Sequence, residues 1–191
     1  MMGLPASITL KFILGFLKPV FGEKLKETLR RKVSSEVAKE RVFMLYKSLG
    51  DLKARNFDFI NALRLCASLI EEKAPQETLN EAKGFLYDRT DELMVASSQM
   101  VDALEALSPH LEIHQYDLYR DITYYKETRG MYGQTSLGDE LAEALFYAEE
   151  GNPQELSLVL AQEEQNYESI DRCLSDFRVF IIKEIPFSQS F

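Results

Sequence analysis

The sequence predicts an all-α fold from three observations: apolar residues recur at intervals of three and four throughout, no segment alternates apolar and polar residues as a strand does, and helix-capping residues punctuate the pattern. Short connections between long helices leave the chain no room to cross, so the expected architecture is an antiparallel helical bundle of four long helices plus shorter N-terminal and connecting helices. Residues 1–22 are expected to form an apolar, basic amphipathic helix, and residues 23–191 a single helical-bundle domain.

The first element is expected from Ser7 to Val20. Ile8, Leu10, Phe12, Ile13, Leu14, Phe16 and Leu17 cover most of its surface, while Ser7, Lys11, Gly15 and Lys18 fall on a narrow polar stripe. Pro19 and Gly22 interrupt it. A second helix from Glu23 to Leu49 directs Leu25, Leu29, Val33, Val37, Leu45 and Leu49 to the core, with Glu23 and Glu27 in the first turn, where the helix dipole favours them. Gly50 and Asp51 read as a stop and a new cap. From Asp51 to Lys73, Leu52, Phe59, Leu63, Cys66 and Ile70 make the next apolar face.

Pro75 marks the start of a helix to Leu107, roughly 50 Å long at ~1.5 Å per residue, with Gly84 as a point of bending or breakage. Ser108 and Pro109 supply the cap and first turn of a further helix to Arg129, and RGMYGQTS reads as a loop. A shorter helix spans Leu137 to Glu150 and ends at Gly151. Asn152, Pro153 and Glu155 then open the last helix with a cap, a favoured first residue and a capping-box carboxylate. Leu156, Leu160, Tyr167, Ile170, Leu174, Phe177 and Ile181 carry it toward Pro186.

A chain of 191 residues buries about 70% of the surface its unfolded form exposes. Its 46% hydrophobic and 28% charged residues exclude wholesale disorder. Trp is absent, so twelve Phe and nine Tyr supply the large core anchors. Cys66 and Cys173 are the only cysteines; without a metal-binding spacing they read as small buried apolar side chains in a reducing, cytoplasmic compartment.

The net charge of −9 is segregated along the chain. Residues 1–41 hold nine Lys or Arg against four Glu, a balance of +5, and residues 42–191 a balance of −14. A phosphate backbone repels such a body, so no nucleic-acid partner is expected for it. The head is the part suited to an anionic surface, on the inner face of a membrane. Its apolar run is at most about 14 residues, against the about 20 needed to span a bilayer, and no small-residue cleavage site follows it.

Lying in the interface, Ile8, Phe12, Ile13, Phe16, Leu17 and Phe21 would enter the acyl boundary. Lys11, Lys18, Lys24, Lys26, Arg30, Arg31 and Lys32 would meet headgroups, at ~1 kcal/mol each near the surface. The same residues equally suit a groove on a protein partner, or the chain's own bundle with the acidic body as counter-charge. MGLPAS matches the myristoylation pattern through Gly3 and Ser7, but Met1 stands ahead of the Met-Gly pair.

His110 and His114 stand four residues apart on one helical face, with Asp117 as a third metal ligand and Asp121 extending the stripe. HLEIH is not the zincin order, because Glu112 sits at the wrong position, and no Glu-x-x-His pair of the di-iron kind occurs. A solvated polar face is the plainer reading. Neither cysteine has a histidine near it in sequence, and no Gly-x-Ser-x-Gly turn or phosphate-binding loop is present. The adjacent carboxylates Glu149–Glu150 and Glu163–Glu164 read as solubilising surface. Tyr116, Tyr119, Tyr124, Tyr125 and Tyr132 form the densest aromatic patch and suit a protein interface.

The sequence therefore points to a non-enzymatic helical interaction protein that uses no cofactor. It would act as a subunit or regulator of an assembly, through a protein partner or as a homo-oligomer, with peripheral membrane contact through the N-terminal helix. The alternatives are a membrane-perturbing bundle effector and a metal-dependent enzyme built on His110 and His114.

Overall fold

A computed structural model describes residues 36–112 and 137–184, which form four helices and no strand. These are α1 (Glu36–Glu71), α2 (Gln76–Glu112), α3 (Leu137–Glu150) and α4 (Pro153–Glu184). Three are long and α3 is short. The N-terminal helix expected at Ser7–Val20, the first part of the helix expected from Glu23, the helix expected to Arg129 beyond Glu112, and the RGMYGQTS loop lie outside the described residues.

The core pattern of α1 is a strict alternation of three and four: Val42, Leu45, Leu49, Leu52, Asn56, Phe59, Leu63 and Cys66 are all buried. That run crosses Gly50 without a change of phase, and α1 is one helix where the sequence suggested two. A glycine inside a helix costs about 1 kcal/mol relative to alanine. Burying Leu49 and Leu52 on either side is worth about 1.5–3 kcal/mol each, so the face they share outweighs the breaker between them. The same run corrects the expectation for Val37. It falls off the stripe set by Val42 and Leu45 and is 52% exposed.

Two further breakers are overridden in α2, which passes unbroken through Gly84 and runs through Ser108 and Pro109 to Glu112. The buried Leu104 and Leu107 hold the turns leading into that proline, so no new helix begins there. Ala82, Ala96 and Ala103 occupy core positions of α2 between the larger Leu86, Leu93 and Met100, and Leu141, Ala144 and Ala148 give α3 its buried face.

The two tight connections are built alike. After α1, Ala74 N–H donates to Leu69 O at 3.0 Å and Lys73 N–H to Ile70 O at 3.1 Å; after α3, Asn152 N–H donates to Tyr147 O at 3.0 Å and Gly151 N–H to Ala148 O at 3.3 Å. Both are Schellman ends, which need a left-handed residue just past the helix. Gly151 takes φ +66° without a steric penalty, whereas Lys73 takes φ 52° with one. Asn152 also caps α4, its Oδ1 accepting from Glu155 N–H at 3.3 Å as the sequence suggests.

One apolar cluster draws residues from all four helices. As numbering rises along α1 through Tyr46, Lys53 and Phe57, the α4 side chains that meet them, Phe177, Asp171 and Tyr167, fall in number. Arg55 of α1 pairs with Glu92 of α2 at 2.9 Å, and Lys83 of α2 with Glu149 of α3 at 2.9 Å.

Candidate functional site

Two features of the described residues bear on function: a polar layer inside the core, and exposed apolar side chains outside it, of which Leu158, Ile182 and Phe146 are the most exposed and Tyr87, Met94 and Val95 share one stretch of α2.

The layer sits where α4 repeats the alternation of three and four seen in α1. Leu156, Val159, Glu163, Asn166, Ile170, Phe177 and Ile181 are its buried positions, so two core places on α4 hold polar side chains. Asn56 holds the corresponding place on α1 and donates through Nδ2 to Glu163 Oε2 at 2.7 Å. Asn166 Nδ2 donates to Glu163 Oε1 at 3.2 Å, and Gln162 Nε2 to Asn166 Oδ1 at 3.4 Å. Glu163 is 1% exposed, which corrects its reading as solubilising surface. Its neighbour Glu164 does face outward and pairs with Arg64.

Adjacent helical residues point about 100° apart, so the two carboxylates had to be judged separately. The missed signal was register: counting three and four from Leu156 lands on Glu163 and Asn166. Burial raises the Glu163 pKa, against the two amides, which lower it. Asn56 Oδ1 is buried with no hydrogen-bond partner.

On the outer surface of α2, Tyr87 and Met94 stand seven residues apart, two helical turns, and so share a face. They are 45% and 37% exposed, and the neighbouring Val95 is 57% exposed. Nearby, Arg89 lies over the Phe85 ring, 4.7 Å from its centroid, and bonds Glu92 at 2.7 Å.

The sequence-predicted sites fare differently. Ile8, Lys11, Phe12, Ile13, Phe16, Leu17, Lys18, Phe21, Lys24, Lys26, Arg30, Arg31 and Lys32 all lie outside the described residues, as do His114, Asp117 and the five tyrosines. His110 belongs to the last turn of α2. Among the described residues no group of three His, Cys, Asp or Glu side chains is placed to hold a metal ion. Nor is any helix among them long and apolar enough to cross a membrane.

Cys66 is buried and Cys173 half-buried, and both are free thiols. Burial pushes Cys66 up to about 11, with Lys83 opposing, and Cys173 up to about 12. Thiols in this state are not nucleophiles near neutral pH. Compared with protein-family models, curated proteins and solved structures, the chain finds no match.

Proposed function

We propose that this chain is a helical interaction protein, a subunit or regulator that works by binding, and that its helices pack as an antiparallel four-helix bundle. The opposed numbering of the α1 and α4 partners supports the arrangement. The Tyr87–Met94–Val95 stripe carries the functional reading. Tyrosine and methionine are enriched in protein interfaces, and two exposed apolar side chains two turns apart on one helix face, on either side of Asp91, offer a partner helix two anchor points. The charge-segregated head adds a second contact, with an anionic membrane surface or with the partner itself.

The test replaces Met94 and Val95 together with lysine in the full chain. Self-association is measured by light scattering and partner capture by pull-down, with helicity monitored by circular dichroism. Loss of either association at unchanged helicity is the expected result; unchanged association in both assays refutes the stripe. Deleting residues 1–22 and measuring binding to anionic vesicles tests the head separately.

A further inference from the structure

Glu163 is the only carboxyl among the described side chains that is fully buried. Among the described residues it reaches no cation. On α1, Lys53 is taken by Asp171, Arg55 by Glu92 and Arg64 by Glu164. On α2, Arg89 is taken by Glu92. The buried α3 side chains of the shared core, Leu141, Ala144 and Ala148, are apolar, with Tyr147 partly buried against it, and on α4 the contacts of Glu163 are Asn166 and, across the seam, Asn56. A buried carboxylate whose only partners among the described residues are two neutral amides is an expensive charge. The neutral acid avoids it.

The neighbouring amides can serve either form of the carboxyl. Ionised, Glu163 accepts from Asn56 at 2.7 Å and from Asn166 at 3.2 Å. Protonated on Oε1, it donates to Asn166 once that amide turns over to present Oδ1. The displaced Asn166 amine then meets Gln162, now 3.4 Å away, after the Gln162 amide turns as well. Asn56 still donates to Oε2. The exchange needs no backbone movement.

We propose that the Asn56–Glu163–Asn166 layer is a proton-dependent fastener of the α1–α4 seam, tightest when Glu163 carries its proton and loosened when that proton leaves to solvent. Desolvation raises the folded-state pKa above the ordinary 4.5. The protonated layer therefore contributes its full stabilisation below that value and loses it as pH rises through the folded-state pKa. This is opposite in sign to a salt-bridged carboxylate.

The experiment uses the full chain and its Glu163→Gln variant, unfolded in urea at a series of pH values from about 4 to 9. The stability of the wild type relative to the variant is expected to fall as pH rises. At its steepest the ratio of their folding equilibrium constants drops about tenfold per pH unit, the limit for one proton. Infrared spectra of the wild type are expected to carry a carboxylic-acid carbonyl band at a pH where exposed carboxylates are ionised, and the variant to lack it. If the variant does not fold, the wild type alone decides. That band should vanish with rising pH in step with a loss of protection of α1 and α4 amides, measured relative to their intrinsic base-catalysed exchange rates. A relative stability flat with pH, or a wild-type spectrum without the band, overturns the proposal.

Discussion

The α1–α2 and α1–α4 seams use the same spacing and different chemistry. The shared core draws Leu45, Leu52, Phe59 and Leu63 from α1 and Leu86, Leu93 and Met100 from α2, all buried and apolar, with Thr90 and Ser97 as the buried polar side chains of α2. Toward α4, the same alternation of three and four reaches Asn56, Glu163 and Asn166 midway and resumes with Ile170 and Phe177. Apolar contact is non-directional and tolerates a shift of register; a set of amide-to-carboxyl bonds between fixed partners does not. From this comparison we expect the apolar seam to supply most of the stability and the polar one to give some up for a unique alignment of α4 on α1.

The largest effect should come from the apolar side. Phe59→Ala removes a fully buried ring and is expected to cost about 3–5 kcal/mol in urea unfolding. A cost under about 1 kcal/mol would mean that this seam is not the stabilising one. Next are the turns that fix helix lengths and hence register. Gly151→Ala forces a Cβ into φ +66° and should cost about 1–2 kcal/mol. Lys73→Gly relieves the equivalent strain after α1 and should raise stability by a smaller amount, read as a higher melting temperature. Gly84→Ala should stabilise by about 1 kcal/mol, since a Cβ there meets nothing within 4 Å and the residue is interior to α2.

The helical class, the Leu137–Glu150 helix and the Asn152–Pro153 start of α4 were legible from periodicity and capping, because these are local signals. Gly50, Gly84 and Pro109 misled for a common reason. Each is a breaker by local propensity, yet buried leucines flank or precede it, and tertiary burial outweighs propensity by a kcal/mol or more. The polar layer was hidden because Glu163 stands beside Glu164 and carries the same charge in sequence; only the register of the apolar positions around it separates a core carboxyl from a surface one. The α2 stripe was hidden for the converse reason. Tyr87, Met94 and Val95 are apolar and match a core residue in type, so their exposure follows only from where Leu86, Leu93 and Met100 point.

The trade made at the α1–α4 seam is tested most directly by replacing the whole layer with apolar side chains of similar shape. In the Asn56→Leu, Glu163→Met, Asn166→Leu triple variant, equilibrium unfolding in urea at neutral pH should give a stability equal to or above that of the wild type. The single Asn56→Leu variant, which leaves Glu163 without its partner across the seam, should fall below it. A triple variant less stable than the wild type would contradict the account, because the layer would then be a net source of stability.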